Sequence, residues 1–254
     1  MRKSFLTTVN KAWKYAILLI LWELGARFAG NPLLFPGVGP VFRSFLTVCR
    51  RDYPVIFHTL SDLFLSFSFS LFSSLFLAIC AARYKNIRAL LSPVFSLVNA
   101  TPSVILIILV LIWRNAGSVP FAVSTAVLIP ILTSGILDAL DANEQEIGDV
   151  CRVYRITGWR RIRFVDLPGI FRRFSGQLPA NAALNLKLLV SAELLSQKAA
   201  SIGGKIFYHK LYLETAFLFA WIAVIFLLNQ LLFKLGAFLF KKLQNESGPC
   251  GDRF

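Results

Sequence analysis

Apolar stretches alternate with short polar ones along the chain, and the longest polar stretch lies in its second half. Runs at 55–82, 90–113, 119–137, 177–197 and 211–240 are each long enough for a membrane-spanning helix, which needs about 20 residues. A first run, 13–28, has a short apolar centre (AILLILW) behind Arg2, Lys3, Lys11 and Lys14, a pattern that also fits the apolar region of a signal peptide. Against cleavage, Glu23 and Arg27 stand four apart and can neutralise each other on one helix face, so the run predicts a first span. The stretch 38–54 is too interrupted to span and carries Arg43, Arg50, Arg51 and Asp52; it predicts an interfacial helix. In 55–82 serine and phenylalanine alternate from Ser66 to Phe72, as they would in a strand. The length and the absence of turn residues favour a tilted helix whose serines bond back to it or pack on a neighbour.

The polar segment, about 138–177, predicts an elbow. Asp141 can cap a helix with Glu144 three residues on, and that helix runs amphipathically through Ile147, Val150, Cys151 and Tyr154. Thr157-Gly158 breaks it. A second short helix, 159–165, carries Arg160, Arg161 and Arg163 and is expected to stop at Pro168, which has no N–H to give the previous turn.

The run 177–197 is unusually polar. At about 100° per residue, Gln177, Asn181, Asn185, Lys187, Ser191 and Ser196 cover half the helix, opposite Ala182, Leu186, Leu189 and Val190. Such an arc is costly toward lipid. It either lines a water-filled path, with Asn181, Asn185, Lys187 and Ser191 the candidates, or bonds to neighbouring helices with Lys187 paired or snorkelling. Glu193 falls on the apolar side near the end of the run, where interfacial water is expected to solvate it.

Composition supports a polytopic membrane protein: 56% of the 254 residues are apolar and 16% charged, and mean hydropathy is +0.66. Net charge of +14 would suit nucleic acid in a soluble chain. Here its distribution reads as topology. With both termini inside, 17 basic residues fall in cytoplasmic segments and 8 in outer ones, as the positive-inside rule requires for six spans. The chain has no phosphate-binding loop or nucleophile motif, and Cys49, Cys80, Cys151 and Cys250 have no ligand spacing. His58 and His209 stand far apart. The pattern predicts a transport subunit rather than an enzyme, with no cofactor or metal of its own.

The elbow resembles the cytoplasmic loop of permease subunits of bacterial ABC importers, the binding-protein-dependent transport inner-membrane component family. That loop reads Glu-Ala-Ala, three residues, Gly, and then an Ile ahead of Leu-Pro. Aligned on Leu167-Pro168, Asp149, Val150 and Cys151 take the Glu-Ala-Ala positions, and Arg155 stands where the family has glycine. Trp22-Glu23 before a Pro-rich turn, and Ala192-Glu193-Leu194 ahead of Gly203-Gly204, are similar to other family landmarks.

The resemblance implies one all-α permease domain over 1–254, with a core of about 55–240 and six transmembrane helices of the type I importer kind. It implies a bacterial inner-membrane location, two permease copies in a lipid bilayer, ABC ATPase subunits that bind ATP and Mg below, and an extracytoplasmic substrate-binding protein. The implied branch is the nitrate, sulfonate, taurine and thiamine-precursor one, carrying a small polar or anionic solute by alternating access. Tyr154, Ile156 and Trp159 around Gly158 are the expected anchors on the ATPase. An ATP-independent transporter or channel is the alternative. It would show inverted repeats and acidic residues within spans, whereas no repeat is evident and Glu23, Glu193 and Glu214 fall near expected span ends.

Overall fold

The computed structural model describes residues 2–246, with side chains described at Trp13 and from 17 to 238. The side chains of Arg2, Lys3, Lys11, Lys14, Lys241 and Lys242, and all of Cys250 and Arg253, lie outside the described set. Every regular element among the described residues is helical. In chain order they are α1 (Arg2–Ala29), α2 (Val38–Arg51), α3 (Tyr53–Arg83), α4 (Lys85–Ala100), α5 (Ser103–Trp113), α6 (Val119–Val153), α7 (Gly158–Arg161), α8 (Leu167–Phe174), α9 (Leu178–Ser196), α10 (Ile202–Leu211) and α11 (Thr215–Glu246). A π-turn (Ile162–Asp166) joins α7 to α8, and a 3₁₀ turn (Ser175–Gln177) joins α8 to α9.

The serine-phenylalanine alternation belongs to a helix, α3. Thr59, Leu63, Ser66, Ser70, Ser74, Ala78 and Ala81 recur every three or four residues and are buried, while Phe57, Phe64, Phe72 and Phe76 point outward. Small buried side chains let α3 lie close along α6, and the Ser74 hydroxyl donates across to the Ile129 carbonyl at 3.1 Å. One apolar core joins α3, α6 and α8 through Leu132, Ile136, Leu140, Ile170 and Phe174. A second joins α2, α3, α9 and α11 through Val48, Leu63, Leu186, Leu189 and Trp221.

Among the described residues, three helices are long and apolar enough to cross a membrane: α3, α6 and α11 over Thr215–Phe238. The expected third span, 90–113, is instead two helices, α4 and α5, meeting at 104°, which make a fourth crossing only if the bent pair counts as one. Pro102 is the cause. It has no N–H, and it holds Thr101 in extended backbone (φ −81°, ψ 127°), so the helix cannot continue.

Two further boundaries differ from expectation. The helix expected to start at Asp141 is the uninterrupted continuation of α6, whose 35 residues span about 52 Å and project well past a hydrocarbon layer of about 30 Å. Asp141 caps nothing; it accepts two hydrogen bonds from Arg88, at 2.9 and 2.6 Å. The stretch expected to start a span at Leu211 is divided between α10 and α11, with Leu213 in the left-handed region (φ 56°) at the turn. At the start of the chain, Glu23 and Arg27 do pair, at 3.4 Å. Glu23 also accepts from the Val38 N–H at 3.0 Å, capping α2, and the Trp22 ring N–H donates to the Pro36 carbonyl.

Candidate functional site: the elbow beyond α6

The elbow begins where α6 stops. The Ile156 N–H reaches back to the Cys151 carbonyl at 2.9 Å and the Arg155 N–H to the Arg152 carbonyl at 3.2 Å, with Arg155 at φ 51°. This is a Schellman ending, in which the left-handed residue is usually glycine because a Cβ is unfavourable there. Arg155 occupies that place and bears the strain. Gly158 follows at φ +64°, where glycine is needed.

The chain then stays helical from α7 through α9. Pro168 does not stop the second helix as expected. It sits in the first turn of α8, and the missing N–H is accommodated by the preceding π-turn, closed by the Leu167 N–H on the Ile162 carbonyl. Asn143 of α6 is buried and donates to the Val165 carbonyl at 3.0 Å. Gly169 lies against the Asn143 amide, so any Cβ there would collide with it. Ile170 and Phe174 insert into the α3–α6 core. The elbow is therefore clamped rigidly to α6.

Ion pairs reinforce the clamp. Between α6 and the elbow, Glu144 contacts Arg161, and Glu146 contacts Arg172 at 3.2 Å and Arg173; within α6 itself Arg152 lies 3.5 Å from Glu144 and 3.1 Å from Asp149. Asp166 lies 3.6 Å from Arg161. Burial lifts the Asp166 carboxyl above its ordinary range, against the opposing pull of Arg161, and the Glu144 hydrogen bond raises Arg161 further. A cleft of about 460 Å³ opens between the end of α3, α6 and α7, lined by Arg83, Asp141, Glu144, Arg161 and Asp166.

The elbow exposes large apolar side chains among its arginines, with the Arg163 guanidinium 5.8 Å from the centre of the Phe164 ring. Tyr154 is 74% exposed, Trp159 70% and Phe164 71%, with Val150 and Val153 exposed beside them. Of the anchors expected from sequence, Tyr154 and Trp159 are free to meet a partner, whereas Ile156 is half-buried behind the helix end. Val153 and Phe164 were not singled out, although Val150, Val153 and Tyr154 share one helical face at spacings of three and four. Asp149 and Pro168 are exposed, Cys151 is buried and Leu167 half-buried.

The polar arc of α9 does not face one way. Asn185 is fully buried and donates to the Leu63 carbonyl at 3.2 Å and the Ser66 hydroxyl at 3.0 Å, binding α9 to α3. Lys187 and Ser191 lie on the exposed face with Asn181 half-exposed, and Lys187 has no ion-pair partner among the described residues. Glu193, expected in interfacial water, is fully buried. It accepts from the Thr59 hydroxyl at 3.0 Å and the Gly203 N–H at 3.0 Å, while the Thr59 oxygen accepts from the Ile202 N–H at 3.1 Å. Ser201 caps the next free donor, Gly204 N–H. A carboxylate from α9 and a hydroxyl from α3 thus close the start of α10. Two ion pairs flank it: Lys198 with Asp62, and Lys205 with Asp52 at 2.7 Å. Gly203 packs so closely on the α9 backbone at Leu194 that no side chain fits.

Comparison with known proteins finds one family: the binding-protein-dependent transport system inner membrane component, whose match covers residues 70–245. No curated protein matches the chain. Among solved structures, a chain described as the crystal structure of an amino acid ABC transporter with histidines is similar, at TM-score 0.58 and 16% identity, over 78% of this chain and 98% of that one. At that identity the likeness is one of fold.

Proposed function

The chain belongs to the binding-protein-dependent transport system inner membrane component family, and from that premise we propose that it is the permease of an ATP-driven importer whose elbow docks on a separate ATPase chain. The observation that carries this is the exposure of Val150, Val153, Tyr154, Trp159 and Phe164 at and beyond the end of a 35-residue helix, which is longer than the hydrocarbon layer is thick. Large aromatic side chains on a rigid, water-facing support are what a protein partner buries. A basic peptide held by rim charges alone would transmit little force. Here the clamp to α6 through Asn143, Ile170 and Phe174 carries motion of the elbow directly into the α3–α6 core.

Six crossings, with both termini in the cytoplasm of a bacterial inner-membrane protein, complete the reading. The additional crossings are α1, the α4–α5 pair and α9. The polarity of α9 is compatible with crossing because Asn185 and Glu193 spend it on α3 and α10 rather than on lipid. A second copy of the chain covers the exposed face of α9, so that Lys187, Ser191 and Asn181 line the path between copies, with Asn185 supporting them from behind. An unpaired cation there favours a small anionic solute, of the sulfonate or nitrate kind or carrying a carboxylate as an amino acid does; an extracytoplasmic binding protein delivers it. Uptake into proteoliposomes holding the chain, its ATPase and its binding protein tests this. Uptake should need ATP, and Lys187→Met should reduce it while leaving the assembled complex intact. Uptake without ATP would instead support a transporter or channel acting alone.

A further inference from the structure

Helix α2 divides into three strips. Val41, Ser44 and Val48 are buried, against α11 and the start of α3. About a third of the way round lie Phe42, Leu46 and Cys49, all exposed and continued by Tyr53 at the start of α3. Next to these, Arg43 and Arg50 project from one side two turns apart, with Arg51 beyond. None of the three arginines has a carboxylate partner among the described residues. The nearest acid in sequence, Asp52, is taken by Lys205.

The depth of this helix is set by its neighbour. Asp52 alone separates α2 from α3, a membrane-crossing helix, so α2 lies where α3 leaves the hydrocarbon. At 14 residues it is too short to cross. An exposed apolar strip running alongside an unneutralised basic strip, at that level, reproduces the division between acyl chains and headgroups. A protein partner would have to supply the same pairing of acid and apolar surface along a line parallel to the membrane; the bilayer supplies it already. Arginine also suits phosphate better than lysine does, because its planar fork bonds two oxygens at once.

We propose that α2 binds anionic phospholipid headgroups, with Arg43, Arg50 and Arg51 on the phosphates and Phe42 and Leu46 among the acyl chains. This strip gives the chain a fixed lipid partner at the membrane face opposite the elbow, and it does not depend on what the elbow contacts.

Cys49 provides a reporter within the strip. In a full-length chain with Cys80, Cys151 and Cys250 replaced by alanine, a fluorophore on Cys49 is quenched by brominated phosphatidylglycerol or, separately, by brominated phosphatidylcholine at equal fractions in vesicles. The expected preference for phosphatidylglycerol is about fivefold or more at low salt, since one basic residue near an anionic surface contributes about that factor. It should fall toward unity in the Arg43→Gln/Arg50→Gln/Arg51→Gln variant, and in the unsubstituted chain as salt is raised. Equal quenching by the two lipids, a preference that survives the triple substitution, or no quenching by either lipid would each overturn the proposal, the last by placing the strip against protein or water. Should the triple variant fail to fold, the salt titration alone decides.

Discussion

The end of α6 and the end of α9 meet the same requirement, a helix that must stop and turn, with different accounting of polar groups. At the elbow, the charges of α6 pair at the surface and the apolar side chains are left outside. At the α10 end, the carboxylate of Glu193 goes inside, and the Thr59 hydroxyl and the N–H groups of Ile202, Gly203 and Gly204 are each matched. One end has the polar groups around Glu193 complete within the chain; on the proposed function the other is incomplete without a partner. On that reading the difference separates a turn held by its own chain from a surface that docks on another.

The largest effects should come from breaking the complete end. Removing the Glu193 carboxylate leaves the Gly203 N–H and the Thr59 hydroxyl buried without their acceptor. Glu193→Ala should therefore cost about 3 kcal/mol or more of stability, seen as a lowered unfolding temperature in detergent. Gly203→Ala should cost a similar amount, because its methyl meets backbone at Leu194 rather than a side chain that can move. Retention of wild-type unfolding temperature by both variants would show that the closure of α10 by Glu193 contributes little.

At the elbow the corresponding truncation should spare the fold and damage association. Tyr154→Ala with Trp159→Ala should leave unfolding unchanged and weaken ATPase binding by about 2 kcal/mol, roughly 30-fold in Kd by titration. A smaller effect of opposite sign is expected at the bend. Arg155→Gly relieves a left-handed residue and should stabilise the chain by about 1 kcal/mol. The smallest concerns Asp166. Because burial raises its folded pKa, protonation favours the folded state; its contribution is fullest below the ordinary carboxylate range and is lost as pH rises through the raised value. Asp166→Asn should raise the unfolding temperature slightly at neutral pH, with the gain fading in acid.

The same contrast explains what could be seen in the sequence. The elbow was legible because its signals are local: Gly158, the Leu167-Pro168 pair and an amphipathic run within thirty residues. The site at α10 was not, because Thr59 and Glu193 stand 134 positions apart and nothing in either neighbourhood announces the other. Helix endings were hidden for a related reason. Arg155, Gln197 and Leu213 each take the left-handed position at the end of a helix, without the glycine that would mark it. The turn at 212–214, between α10 and α11, therefore falls within the first residues of the span expected from Leu211. The bend at Thr101-Pro102 had its proline in view, yet prolines also occur within spans, so only the backbone decides. Among the candidate path residues, period alone puts Asn185 with Lys187; packing against α3 separates them.

Proximity is the most direct test of the claim that the elbow is the incomplete end. A photo-reactive phenylalanine analogue placed at Trp159 in the full transporter should cross-link to the ATPase. The same analogue at Tyr212, equally aromatic and exposed but at the α10 end, should not. Cross-linking from Tyr212 with none from Trp159 would contradict the account.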